Sequence, residues 1–272
     1  MCRIDPLVCA LDIRAVMTIR TDSRMDLSIW IVFIGTALIG ISAALVGTFT
    51  FLQKKSLVGD AISHSILPGI VLAYMISGQR NTLILMIGAL ISGWLATQQI
   101  SWLQRRTKLK SDTIVAATLS IFFAFGLSLL SYIQGRPDDG QAGLSDFLFG
   151  KIAALNVEDL YLFLVVSLLI IAVTFFRYRI MFSFAFNKEF MISKGFSLRL
   201  NDFILNSMTI LVVAMGVQAV GVVLMSALLI IPVLTARMIT YRLPRLITLS
   251  LVFGTVSALV GSYISILGTN IP

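Results

Sequence analysis

The chain is poor in charge, in histidine and in cysteine, and each shortage removes a class of function. Asp, Glu, Lys and Arg make up only 12% of its 272 residues, against roughly 25% in ordinary soluble domains. A soluble globular fold is therefore excluded. The two cysteines, Cys2 and Cys9, both lie ahead of the first apolar run, so neither a disulfide framework nor a thiolate metal site has support. One histidine, His64, supplies too few ligands for a zinc protease, and the His-Glu-x-x-His signature is absent. The Gly-x-x-x-x-Gly-Lys-Ser/Thr nucleotide loop is absent too, so no motif lets this chain hydrolyse ATP by itself. It reads as a non-enzyme.

What the sequence has in abundance is apolar residues, 58% of the total, and from Leu27 onward they form runs separated by short charged stretches. Runs of about 20 residues cross a bilayer as helices. With no water in the hydrocarbon to satisfy backbone groups, and no alternation of the barrel type, the chain must be helical. The fold class is all-α, a polytopic membrane protein of about eight spans: Leu27 to Phe51, Leu57 to Ser77, Thr82 to Trp102, Thr113 to Ile133, Leu160 to Phe176, Phe203 to Val220, Val222 to Met238 and Leu246 to Leu267. Only Gly216 to Gly221 separates the sixth from the seventh, so one bent element is the alternative there.

The net charge of +8 raises the question of nucleic acid, and the placement of the cations answers it. Alternate loops collect them: Lys54 and Lys55; Arg105, Arg106, Lys108 and Lys110; Arg177, Arg179, Lys188, Lys194 and Arg199; Arg237, Arg242 and Arg245. The opposite loops hold only Arg80, Arg136 and Lys151. The positive-inside rule puts the cation-rich loops in the cytoplasm, which makes the charge topological and the partner a membrane. Residues 1–26 fall outside, lack the apolar core and cleavage site of a signal peptide, and are expected to be a disordered extracytoplasmic extension, with Met25 a candidate start. Residues 27–272 form the transmembrane domain.

The longest outer loop, Gln134 to Asp159, carries Asp138, Asp139, Asp146, Glu158 and Asp159 against Arg136 and Lys151. Its apolar centre, Leu144 to Leu155, is too short to span and predicts a short helix across the outer mouth, serving either as an ordinary interfacial loop or as a docking surface.

Asp60 and His64 fall inside the second span, four residues apart and so on one helix face. A carboxylate within a span costs on the order of 2.5–3.5 kcal/mol and normally faces a cavity or a partner. Two readings stay open from spacing alone: a metal or proton site, or a carboxylate one turn inside the cytoplasmic end beside a histidine that hydrogen-bonds a carbonyl. Pro68 removes a backbone hydrogen bond one turn further on, and with Gly69 it predicts a kink suited to a gate. One hard oxygen and one borderline nitrogen suit Mn²⁺, Zn²⁺ or Fe²⁺ and suit Cu⁺ poorly. Two ligands are too few for a tight site, but two copies meeting across a pore would bring four, and a cation would relieve the repulsion of the facing carboxylates.

The run from Lys55 to Gly69, Lys-Ser-Leu-Val-Gly-Asp-Ala-Ile-Ser-His-Ser-Ile-Leu-Pro-Gly, resembles the signature of the permease subunits of ABC importers for zinc, manganese and iron. Further matches follow in order: Asp112-Thr113, Phe147-Leu148-Phe149-Gly150, Phe186-Asn187-Lys188-Glu189-Phe190, Gln218 to Leu224 and Ala227 to Pro232. Together they cover Leu27 to the end. The resemblance implies a homodimer, or a pair with a close paralogue, in a bacterial cytoplasmic (inner) membrane. It also implies cytoplasmic ABC ATPase subunits, an extracytoplasmic metal-binding protein, and Asp60 and His64 on the metal path. No permanently bound cofactor is expected, the divalent cation being cargo. Two departures stand out: Asn187 replaces the family's usual Asp, and the chain stops at Pro272 where relatives continue through another C-terminal helix.

Within the cytoplasmic loop 177–202, Glu189 and Gly195 stand six apart with Lys194 between them, which resembles the loop by which importer permeases plug a short helix into their ATPases. The plain alternative is a basic loop held near anionic headgroups. The leading rival function is an ATP-independent, proton-coupled metal transporter or channel.

Overall fold

The computed structural model describes residues 6–78, 81–134, 150 and 157–268, with side-chain surroundings given for residues 29–265 within these ranges, Lys188 excepted. Ten helices are described: α1 (Pro6–Leu52), α2 (Ser56–Ser65), α3 (Leu67–Ser77), α4 (Thr82–Arg106), α5 (Ser111–Gln134), α6 (Val157–Phe186), α7 (Lys188–Ser193), α8 (Leu198–Val220), α9 (Val222–Ile239) and α10 (Leu243–Gly268). Taking α2 and α3 as one span and leaving out α7, eight are long and apolar enough to cross a membrane. α1 extends upstream of its span to Pro6, where disorder was expected over residues 1–26; between Pro6 and the span no glycine or further proline interrupts helical propagation. The helix expected across the outer mouth lies outside the described residues.

α1, the α2–α3 span and α8 are the most buried, whereas α5, α6 and α10 leave most of their surface open. α1 packs against α6, α8, α9 and α10, while α8 also touches α2 and α4. Apolar residues gain little by leaving lipid for one another, so small residues and interhelical hydrogen bonds must supply the contacts. Ser42 Oγ donates to Ser167 Oγ at 2.9 Å between α1 and α6, and Ser262 Oγ to Thr36 Oγ1 at 2.8 Å between α10 and α1. Gly40 of α1 and Gly254 of α10 approach backbone to backbone.

Ion pairs and polar contacts sort the loops onto two ends. Lys55 Nζ meets Asp202 Oδ1 at 2.6 Å, and Arg177 Nη2 donates to Asn201 Oδ1 at 2.7 Å, so two of the cation-rich loops share one end. At the other, Thr82 Oγ1 donates to Asp159 Oδ1 at 2.9 Å, and Gln218 Nε2 lies 3.2 Å from both of those oxygens. This clasp ties α4, α6 and α8 together. It also corrects the count of loop charges: Asp159 belongs to the first turn of α6 and is 7% exposed, because a carboxylate with donors on two neighbouring helices is better satisfied inside than in a loop. Gly150 sits against the backbone of Val220 and Gly221, so two motifs far apart in the chain meet where α8 ends and α9 begins. That break makes the sixth and seventh spans separate helices, with Gly216 facing Met225.

The second span breaks at Ile66, between α2 and α3. Pro68 has no N–H to offer the His64 carbonyl, which accounts for the interruption. Gly69 has a further role that the expected kink did not include: a methyl group there would strike the Gly88 carbonyl and Ser92 Cβ of α4. Ser92 Oγ donates to the Ser65 carbonyl at 2.6 Å, pinning the same joint. Gly69→Val should therefore lower the thermal stability of the detergent-solubilised chain by about 1–3 kcal/mol or more, the usual effect of overpacking. Gly261→Ala, which meets no neighbour within 4 Å, should leave the melting midpoint nearly unchanged; equal losses would refute the close-approach role.

Candidate functional site

α2 has an open face and a closed one. Val58, Gly59, Ala61, Ile62, Ser63 and Ser65 are buried against neighbouring helices, whereas Leu57 is exposed and Asp60 and His64 are half-buried. Asp60 Oδ1 stands 3.8 Å from His64 Nε2, with side-chain exposures of 38% and 23%. That is too long for a hydrogen bond. With metal–ligand bonds of about 2.0–2.2 Å, two ligand atoms on one cation stand roughly 3.0–3.4 Å apart, so a small rotamer adjustment would let the pair share an ion.

The imidazole is oriented by Phe123 of α5, whose ring meets it edge-on at 4.9 Å and 79°. Nε2 therefore faces Asp60, while Nδ1 is buried without a hydrogen-bond partner among the described residues. Among those residues no group of three His, Cys, Asp or Glu side chains could hold a metal. Among the described residues this open face thus offers two side chains able to ligate a cation, fewer than a closed coordination sphere requires.

α5, which packs against α2, carries an exposed stripe of Thr113, Ala116, Ala117, Ser120 and Ala124. Small side chains at this spacing let another helix approach closely.

The loop expected over 177–202 is shorter in the structure, because α6 continues to Phe186 and α8 begins at Leu198, and the residues between them, 187–197, fold into a compact knob around α7. Asn187 caps α7 by accepting from the Phe190 N–H at 3.0 Å, a task that Asp and Asn perform about equally, so the departure at this position leaves the cap intact. Gly195, at φ +77°, closes the far side, where the Phe196 N–H reaches the Met191 carbonyl at 3.0 Å. Met191 is buried beneath the knob, while Phe190, Ile192 and Phe196 are exposed; Glu189 and Lys194 are exposed as well, with Lys194 Nζ 4.9 Å above the Phe190 ring. Apolar side chains presented outside the hydrocarbon zone mark a surface for another protein.

Sequence reasoning missed the link between these places. Asp202 opens the first turns of α8, directly after the knob, and its bond to Lys55 reaches the residue that caps the start of α2. The signal available was slight: a lysine at the edge of the signature and one of only 13 acidic residues at the start of a span.

A model of the ABC 3 transport family matches residues 25–270. The chain is 37% identical over 240 residues to the zinc transport system membrane protein TroC of Treponema pallidum, covering 88% of this chain and 80% of that protein. It is 38% identical over 238 residues to the manganese transport system membrane protein MntC of Bacillus subtilis, covering 86% of this chain and 54% of that one. Among solved structures it resembles PsaBC from Streptococcus pneumoniae in complex with Fab, with a TM-score of 0.75 and 30% identity over 86% of this chain and 80% of that chain.

The Lys55–Asp202 pair is partly exposed, so its contribution to stability should be small, about 0.5 kcal/mol. A double-mutant cycle of Lys55→Gln and Asp202→Asn on thermal stability should return a coupling of that order, and strictly additive losses would show that the contact does not persist in solution.

Proposed function

The chain belongs to the ABC 3 transport family, and from that premise we propose that it is the membrane permease subunit of an ATP-driven importer of a divalent transition-metal ion, working as a homodimer in a bacterial inner membrane. The observation that carries this reading is the half-exposed pair Asp60 and His64, two ligands four residues apart on the open face of α2. Two copies joined along that face and the small-residue stripe of α5 would bring two carboxylates and two imidazoles to one path. The hard and borderline donors suit manganese, zinc or iron, and the zinc and manganese relatives are consistent with that range without choosing within it.

ATP hydrolysis belongs to separate cytoplasmic subunits. Their docking surface is α7 with Phe190, Ile192 and Phe196, framed by Glu189, Lys194 and Gly195. Movement of that knob passes to α8, from Asp202 to Lys55, and so to the start of α2. An extracytoplasmic metal-binding protein delivers the ion to the outer mouth. In the outward-open state the ion reaches Asp60 and His64; when the cytoplasmic side opens about the joint at Ile66 and Pro68, it leaves inward.

Reconstitution with the ATPase and delivery protein tests this directly. Asp60→Ala and His64→Ala should each reduce ATP-dependent uptake of the ion at least tenfold, while assembly with the ATPase, read by co-purification, stays intact. Normal uptake by either variant would remove the pair from the path. Uptake by the chain alone in liposomes, without ATPase, would replace this reading with a proton-coupled carrier or channel.

A further inference from the structure

We propose that the groove between the cytoplasmic halves of α4 and α8 binds an anionic phospholipid of the inner leaflet. The groove encloses about 480 Å³ at its cytoplasmic end, where Arg105 and Arg199 face it together with Gln98 and Asn206. Neither guanidinium has a hydrogen bond or ion pair among the described residues. Asp202 also lines the groove, but its carboxylate is neutralised by Lys55 at 2.6 Å. Two unmatched positive charges therefore remain: Arg199 in the first turn of the 23-residue α8, whose N-terminal dipole adds to it, and Arg105 in the last turn of α4.

Deeper in the membrane the lining changes character. Trp94 ends the polar section and begins an apolar groove of about 500 Å³ between the same two helices, lined by Leu90, Ile91, Ile210 and Leu211. Arg105 lies eleven residues from Trp94 along α4, and Arg199 eleven from Ile210 along α8. At 1.5 Å per residue each separation is about 16 Å, so the two arginines stand at one level and the apolar lining at another. The order of a phosphodiester headgroup above an acyl chain matches this order of charge, hydrogen-bonding groups and hydrocarbon. Arginine binds a phosphate oxygen pair bidentately, which distinguishes this site from the roughly 1 kcal/mol that any cation gains near an anionic leaflet. Arg106 turns away and lies 5.2 Å above the Trp102 ring, so it serves as the control.

The full chain in nanodiscs of phosphatidylcholine, with or without phosphatidylglycerol, tests the assignment. Phosphatidylglycerol should raise the melting midpoint by several degrees and should be the lipid retained in native mass spectra. Inorganic phosphate and glycerol phosphate, which lack acyl chains, should not reproduce the shift. The pair Arg105→Gln with Arg199→Gln should abolish both effects, and Arg106→Gln should keep them. A shift reproduced by free phosphate, or lost equally in Arg106→Gln, would overturn the lipid site. So would a pair that keeps its lipid but loses the ATPase on co-purification, since the groove would then belong to a protein partner. If the double variant fails to fold, the unaltered chain still decides: a photoactivatable acyl chain on phosphatidylglycerol should label Ile91, Trp94 or Leu211, and labelling spread evenly over the exposed helices would refute the proposal.

Discussion

A carboxylate in or at the edge of a bilayer has to be matched, by a hydrogen bond, a counter-charge or a cation, and three acids of this chain stand differently toward that demand. Asp159 is matched permanently by Thr82 and Gln218 and becomes part of the packing. Asp202 is matched by Lys55, a partly exposed ion pair that can be broken and remade at modest cost. Asp60 is matched by neither: its neighbour His64 stands 3.8 Å away, and the rest of its surroundings is an open face. The graded treatment of three acids separates a fixed outer end from an adjustable inner end, and leaves one group in want of a partner between them.

The helices that carry these acids are held together by means that suit lipid. Backbone contacts at Gly40 with Gly254 and at Gly69 with Gly88, together with serine and threonine hydroxyls, replace the hydrophobic drive that is weak in lipid. Large apolar side chains are left on the outside of α5, α6 and α10, where acyl chains or a second protein can cover them.

Much of this was legible from residue order alone. The spans follow from hydropathy and the two ends from the cations, because the membrane imposes both directly. Asp60 and His64 stood out because ionisable residues are costly there and a spacing of four fixes their common face. Gly69 was read as flexibility beside Pro68, whereas it also allows α3 to touch α4; a lone glycine in a sequence does not say which use it has. Asp159 was counted with a loop because burial depends on Thr82 and Gln218, which are distant in the chain. Lys55 and Asp202 lie 147 residues apart, and no local pattern joins them.

The interruption at Ile66 divides the second span into pieces of 10 and 11 residues, each about 15 Å long and so about half the hydrocarbon thickness. The outer piece is welded to α4 through Gly69, Gly88 and the Ser92 hydroxyl at the joint, whereas the inner piece ends at an ion pair. A displacement of Lys55 would act first on the inner piece, which also packs against α4, α5, α8 and α9. The break therefore falls near the middle of the span and leaves its two halves held to different neighbours, the outer by close backbone approach and the inner by a partly exposed ion pair.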